Sequence, residues 1–214
     1  MNNKFKSDEF ERVPIIGILR NFPSDKIERS LESFHAAGLT TIEMTLNSSG
    51  ASEHIEKMVA RWGDKLNIGA GTVCNIEDLD VALSAGAQFI VTPIINEEVI
   101  TACVKKGVPI FPGAFTPSEI YTAWSLGASM VKVFPASRLG PEYFKDILQP
   151  LNKLKLIATG GVTKDNFMDF LRAGAKGVGI GSNLFPKEML DNNKWGELTD
   201  FLKGIANEAP KGKQ

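Results

Sequence analysis

Short apolar runs rich in β-branched residues recur along the chain, separated by longer amphipathic stretches. Each run predicts a β-strand. Successive runs begin 20 to 26 residues apart, which suits one strand plus one helix and is too long for a hairpin. The eight predicted strands are residues 14–19, 40–46, 66–72, 89–93, 109–113, 130–135, 156–161 and 177–182.

The stretches between the strands predict helices, and five of them end at a glycine just before the next strand. Glycine adopts the left-handed conformation that ends a helix and turns the chain back toward the sheet. These five residues are Gly38, Gly86, Gly107, Gly127 and Gly174.

Alternating strands and helices indicate a parallel sheet, either a TIM barrel or an open doubly wound sheet. Eight units favour an α/β TIM (β/α)8 barrel, preceded by an N-terminal helical extension. The 214 residues lie near the lower end of the usual barrel length. We therefore expect short loops and a single domain over residues 1–214.

Composition and charge narrow the functional classes. Lys and Arg total 24 against 25 Asp and Glu, a formal net charge of −1, so no basic excess supports nucleic-acid binding. No apolar run is long enough to cross a membrane. The first twelve residues are polar and lack the apolar core of a signal peptide, so we expect a cytoplasmic protein.

Cysteine and histidine offer little chemistry. Cys74 and Cys103 are expected to be reduced thiols, because no export signal precedes them. His35 and His54 fall in helix-like segments without a cysteine or carboxylate at metal-ligand spacing. No metal site is predicted.

Two predicted strands carry ionisable residues on the face opposite their apolar neighbours. Strand alternation places Glu43 on one face and Met44 on the other, and places Lys132 opposite Val131 and Val133. If the apolar faces pack under helices, Glu43 and Lys132 point into the barrel. Burial lowers the pKa of a lysine and frees its lone pair to attack a carbonyl, and a nearby carboxyl group can move the protons. The alternative is an ion pair that only fills space.

Glycine-rich ends of the last two strands predict an anion site. Gly160-Gly161 and Gly181-Ser182 follow strands seven and eight, where barrels often bind phosphate through backbone N–H groups. Arg20, at the end of the first strand, could pair with a carboxylate or phosphate. Tight turns and a surface arginine are the alternatives.

Four segments resemble one family, the class I aldolases that cleave 2-keto-3-deoxy-6-phosphogluconate (KDPG), often grouped with 4-hydroxy-2-oxoglutarate (KHG) aldolases. The segments are Gly-Leu-Thr-Thr-Ile-Glu-Met-Thr-Leu at 38–46, Gly-Ala-Gly-Thr-Val at 69–73, Pro-Gly-Ala-Phe-Thr-Pro-Ser-Glu at 112–119 and Val-Lys-Val-Phe-Pro-Ala at 131–136. The resemblance extends over residues 13–201 and implies a homotrimer of TIM barrels with no metal or organic cofactor.

The resemblance also implies roles for residues. Lys132 matches the Schiff-base nucleophile and Glu43 the general acid/base. Thr72 would hold the pyruvate carboxylate, and Phe134 and Pro93 would line the pocket. The two glycine-rich strand ends, which we call the glycine corners (160–161 and 181–182), would bind phosphate. The full predicted substrate-binding set is Arg20, Thr45, Asn47, Thr72, Pro93, Phe134, Thr159, Gly160, Gly161, Gly181 and Ser182.

One departure concerns the substrate epimer. Many KDPG aldolases carry Arg where this chain has Asn47, and Leu-Asn-Ser at 46–48 is similar to aldolases for 2-keto-3-deoxy-6-phosphogalactonate (KDPGal). We predict cleavage of KDPG to pyruvate and glyceraldehyde 3-phosphate through a lysine Schiff base, with KHG, cleaved to pyruvate and glyoxylate, as a second substrate. The alternatives are a KDPGal aldolase, a phosphosugar isomerase or epimerase, and a non-catalytic phosphate-binding barrel.

Overall fold

In the computed structural model, which describes residues 4–210, the chain forms a TIM-type barrel, as predicted. The strands are β1 (Ile15–Leu19), β2 (Thr41–Thr45), β3 (Asn67–Gly71), β4 (Ile90–Val91), β5 (Ile110–Phe111), β6 (Gly113–Ala114), β7 (Val131–Val133), β8 (Leu156–Thr159) and β9 (Gly177–Ile180). The helices are α1 (Ser7–Arg12), α2 (Ile27–Ala36), α3 (Ala51–Trp62), α4 (Ile76–Ser84), α5 (Glu97–Lys106), α6 (Pro117–Ser125), α7 (Gly140–Leu148), α8 (Phe167–Arg172), α9 (Lys187–Asp191) and α10 (Trp195–Glu208).

The strands lie in the order β5-β4-β3-β2-β1-β9-β8-β7-β6, with parallel neighbours. The two ends of this order, β5 and β6, are consecutive in the chain and are separated only by Pro112. The barrel closes there, because the Lys132 amide donates to the Pro112 carbonyl (2.9 Å) and the Ser129 amide to the Ile110 carbonyl (3.1 Å). The prediction of one continuous strand over residues 109–113 was wrong, since Pro112 has no N–H to donate to a ladder.

The predicted repeat is otherwise confirmed, with shorter strands than the apolar runs suggest. Residues such as Thr72, Pro93 and Pro135 lie beyond the strand ends, in the loops at the carboxyl side of the barrel. All five predicted helix-ending glycines have positive φ, between 66° and 104°. Helix α1 is the predicted N-terminal extension.

Two apolar layers hold the barrel together. The outer layer lies between the strands and the helices and includes Ile42, Met44, Val131 and Val133. A smaller inner cluster fills the amino-terminal half of the barrel. It comprises Phe10, Ile16, Phe89, Val91, Phe111, Met130 and Ile157, with Phe5 and Ile18 packed against it.

The single domain predicted over residues 1–214 includes residues 1–3 and 211–214, which lie outside the described residues, and it stays a prediction. Within residues 4–210, no helix is long and apolar enough to cross a membrane.

Candidate active site

Lys132 and Glu43 point into the barrel from strands β7 and β2. Their neighbours Val131 and Met44 belong to the outer apolar layer, so strand alternation turns the charged side chains inward. Both are nearly inaccessible, with 4% of Lys132 and 2% of Glu43 exposed. The structure therefore brings together the two residues that the sequence singled out for chemistry.

These two groups do not form a direct ion pair. Within residues 4–210, no carboxylate oxygen lies within 4.0 Å of the Lys132 ammonium. The Lys132 Nζ instead lies 4.8 Å from the centroid of the Phe134 ring. The space-filling ion pair considered from the sequence is thus not what the barrel contains.

Burial shifts the titration of both groups toward their neutral forms. The pKa of Lys132 is lowered, mainly by desolvation, and the positive charge of Arg20 lowers it further, while Glu43 opposes the shift. The pKa of Glu43 is raised, again mainly by desolvation, against the opposing charges of Lys132 and Arg20. An amine with a lowered pKa beside a carboxyl group with a raised pKa is a suitable pair for imine chemistry.

A glycine on the neighbouring strand makes room for the Glu43 side chain. A Cβ at Gly71 would overlap the Glu43 carboxylate. Two residues earlier on the same inward face, a Cβ at Gly69 would lie 2.6 Å from the Phe89 ring. Strand β3 therefore accommodates the carboxylate at one level of the barrel and an aromatic ring at the level below.

A cavity of about 470 Å³ opens at the carboxyl ends of β1, β8 and β9. Lys132 does not line it directly, but the Phe134 ring that contacts the amine does. Seven of the eleven predicted substrate-binding residues line the cavity: Arg20, Phe134, Thr159, Gly160, Gly161, Gly181 and Ser182.

The glycine corners in this cavity present unused backbone donors. Gly160 and Gly161 have φ values of 91° and 72°, a conformation that disfavours other residues. Within residues 4–210, the N–H groups of Gly161, Val162 and Gly181 donate to no protein acceptor. Such groups can cradle an anion.

Arg20 lines the same cavity at the end of β1 and is exposed. It pairs with no carboxylate among the described residues. A guanidinium without an acidic partner at the mouth of a cavity is available for a phosphate or carboxylate ligand.

The other four predicted binding residues lie at the carboxyl end of the barrel but do not line this cavity. Thr72 has φ of 59°, a strained conformation for a β-branched residue and one that is typical of functional sites. Asn47 is exposed and Pro93 is half-buried. Thr45 is fully buried, and its hydroxyl lies 3.4 Å from the Leu19 carbonyl oxygen and 3.0 Å from Ser48 Oγ.

Three polar residues of the cavity wall were missed from the sequence: Asn21, Asn183 and Lys187. Lys187 is exposed and pairs with Asp191 one turn later in α9 at 2.5 Å. They follow the ends of β1 and β9 by two to seven residues, and a search restricted to glycines and hydroxyls at those ends passes over them.

The described residues gather no set of metal ligands, and the pKa of both cysteine thiols is raised, mainly by burial. Within residues 4–210, no cluster of three or more metal-binding side chains occurs. Cys74 and Cys103 are free thiols, and burial raises the pKa of Cys103 to about 12.

Comparison with known proteins identifies relatives over nearly the whole chain. The family model described as "KDPG and KHG aldolase" matches residues 7–201. The 2-dehydro-3-deoxy-6-phosphogalactonate aldolase of Escherichia coli K12 is 38% identical over 175 residues, covering 81% of this chain and 85% of the relative. The 2-dehydro-3-deoxy-phosphogluconate aldolase of Haemophilus influenzae is 33% identical over 201 residues, covering 94% and 93%.

A solved structure of similar fold contains a trapped intermediate. It is the KDPG aldolase of Legionella pneumophila, described as having pyruvate captured as a covalent carbinolamine. It superposes with a TM-score of 0.84 at 26% identity and covers 94% of this chain and 98% of its own.

Proposed function

The chain belongs to the KDPG and KHG aldolase family and is a lyase, and from that premise we propose that it cleaves KDPG through an imine on Lys132. The products are pyruvate and glyceraldehyde 3-phosphate. KHG, which would give pyruvate and glyoxylate, is the second substrate of the proposal.

The observation that carries this proposal is the Lys132 amine inside the barrel, which pairs with no carboxylate of residues 4–210. Desolvation lowers its pKa, so a larger fraction is the neutral nucleophile at a given pH. Glu43 lies in the same interior without neutralising it through a direct contact. A barrel that only bound phosphate, or isomerised a sugar without an imine, would not need this amine.

In the proposed reaction, the Lys132 amine attacks the substrate ketone and water leaves, giving an iminium. Glu43 takes the proton from the hydroxyl at carbon four, directly or through water. The bond between carbons three and four breaks, its electron pair moves into the iminium to form an enamine, and the aldehyde leaves. Protonation of the enamine and addition of water release pyruvate and restore the amine.

Binding roles follow from the same arrangement. Thr72 would hold the pyruvate carboxylate, and Phe134 and Pro93 would contact its apolar carbon atoms. Backbone N–H groups at Gly161 and Gly181 would bind the phosphate, because neither donates to an acceptor in the described part of the chain. The imine is the electron sink, so the route uses no metal and no organic cofactor.

KDPGal is the second candidate substrate. It is favoured by Asn47, which stands where many KDPG aldolases carry Arg, and by the 38% identical relative named for KDPGal. The two substrates differ in configuration at carbon four. The hydroxyl group on this carbon is the one that Glu43 would deprotonate.

A coupled assay tests the function and separates the two substrates. Pyruvate release is followed with lactate dehydrogenase on KDPG and KDPGal side by side, with KHG as a third substrate. We expect a higher kcat/KM on KDPG than on KDPGal. A higher value on KDPGal would select the second candidate, and no pyruvate from any of the three would refute the proposal.

We also propose a cytoplasmic homotrimer. Exposed apolar side chains on and before the consecutive helices α4, α5 and α6 give copies of the chain a surface through which to associate; they are Val81, Ile94, Val104, Phe115 and Tyr121. Light scattering coupled to size-exclusion chromatography should give three times the chain mass. A monomer mass would contradict the trimer.

A further inference from the structure

A chain of hydroxyl groups fixes the backbone on both sides of Arg20. The amide of Asn21, the residue after Arg20, donates to Ser48 Oγ at 2.8 Å. Ser48 Oγ lies 3.0 Å from Thr45 Oγ1, which lies 3.4 Å from the carbonyl oxygen of Leu19, the residue before Arg20. The end of β2 thereby holds the end of β1 at two points that bracket the arginine.

The direction of these hydrogen bonds is determined by donor counting. The Leu19 carbonyl can only accept, so the Thr45 hydroxyl donates to it. Thr45 Oγ1 is then the acceptor for the Ser48 hydroxyl, and Ser48 Oγ accepts from the Asn21 amide. Each hydroxyl donates once and accepts once, so removing either hydroxyl interrupts the series of hydrogen bonds between Asn21 and Leu19.

The loop held in this way turns sharply and has a second anchor. Asn21 has φ of 48°, in the left-handed region, immediately after Arg20. Further along the loop, Ser24 Oγ lies 2.9 Å from His54 Nε2 in α3. The arginine itself has no carboxylate partner among the described residues, so the direction of its side chain depends on how its backbone is held.

We propose that Thr45 and Ser48 are positioning residues that direct Arg20 toward the phosphate end of the substrate, with Ser48 acting without touching the substrate. This inference rests on the proposed function. Arg20 and the glycine corners line the same cavity, and the hydroxyl chain joins this arginine to the strand that carries Glu43. It gives Thr45 a role different from the direct substrate contact predicted from the sequence.

Ser48→Ala is the first test, with Ser49→Ala as the matched control. Ser49 is the exposed neighbour of Ser48 and takes part in none of these bonds. We expect Ser48→Ala to raise KM for the phosphorylated substrate about threefold to tenfold, the range for losing one or two hydrogen bonds, with kcat changed less than about twofold. On the substrate without its phosphate, KM should stay the same. Ser48→Thr, which keeps the hydroxyl, should restore the KM.

A double-mutant cycle shows whether the effect passes through Arg20. In an Arg20→Ala background, Ser48→Ala and Thr45→Val should raise KM no further, because the group that they position is gone. Additive losses, or equal losses on substrates with and without phosphate, would overturn the inference. Trapping of pyruvate on Lys132 by borohydride is measured for each variant. If Ser48→Ala traps pyruvate and its KM is unchanged, only the positioning role is refuted. If the unsubstituted protein traps no pyruvate, the proposed function is refuted.

Discussion

The interior of this barrel has two halves that are built from the same strands and contain opposite chemistry. In the amino-terminal half, which we call the floor, the rings of Phe5, Phe10, Phe89 and Phe111 pack with centroids 5.4 to 6.4 Å apart. In the carboxyl-terminal half, which we call the mouth, Lys132 is 4% and Glu43 2% exposed, and neither forms a salt bridge with another of the described residues. The floor is packed for stability, and the mouth holds groups whose burial costs free energy.

The difference shows how one strand can serve both halves. The inward face of β3 begins at Asn67, whose side chain bonds the backbone of Lys6 and ties the segment before α1 to the barrel. Gly69 then leaves room for Phe89, and Gly71 leaves room for Glu43. Stability is therefore concentrated where α1 closes the floor, and this allows the mouth to keep a desolvated amine and carboxyl group.

The largest expected effect is in the mouth. Lys132→Met keeps the length of the side chain and removes the nucleophile, so we expect pyruvate release from the phosphorylated substrate to fall by at least about 10³-fold. The urea midpoint of unfolding should not fall, because an apolar group replaces a desolvated amine. Activity within tenfold of the unsubstituted protein would contradict this division of roles.

In the floor the pattern should reverse. Phe10→Ala removes a fully buried ring from the inner cluster, and we expect a loss of about 3–5 kcal/mol in the free energy of unfolding. The kcat of the folded enzyme should be unchanged, since Phe10 lies away from Lys132 and Glu43. Urea unfolding and the coupled assay, run on one preparation, measure the free energy of unfolding and the kcat. A stable variant with a low kcat would contradict the separation of the floor from the mouth.

A matched pair of glycine substitutions on β3 tests the boundary between the halves. In Gly71→Ala the new methyl group displaces the Glu43 carboxylate, and we expect kcat to fall by about 10²-fold. In Gly69→Ala the methyl group meets the Phe89 ring, and we expect a loss of about 1–3 kcal/mol in stability with kcat unchanged. The same outcome in both variants would show that the two levels are not separate.

The smallest expected effect concerns pH. The positive charge of Arg20 lowers the pKa of Lys132, so Arg20→Ala should raise that pKa and leave less free amine at a given pH. The midpoint for trapping pyruvate as a reduced imine should then move to higher pH. Arg138 lies on the same side of the barrel and is not among the charges that shift the pKa of Lys132, so Arg138→Ala should leave the midpoint in place. A shift to lower pH in Arg20→Ala would contradict the electrostatic role of Arg20.

The fold and the inward direction of Lys132 and Glu43 could be predicted because both follow from local periodicity. Strand alternation alone placed Lys132 and Glu43 inside once the apolar neighbours were assigned to the helices. The break at Pro112 was missed because an apolar run does not show which amides must donate to a neighbouring strand. The positioning of Arg20 through Ser48 could not be predicted, because it depends on a contact between loops 27 residues apart.

The most direct measurement of the central claim is the mass of the protein after treatment with pyruvate and borohydride, followed by peptide mapping. A three-carbon adduct on Lys132, absent in Lys132→Met, is the predicted result, because borohydride reduces an imine to a stable secondary amine. An unchanged mass, or an adduct on a different lysine, would contradict the assignment of Lys132 as the nucleophile in the mouth of the barrel.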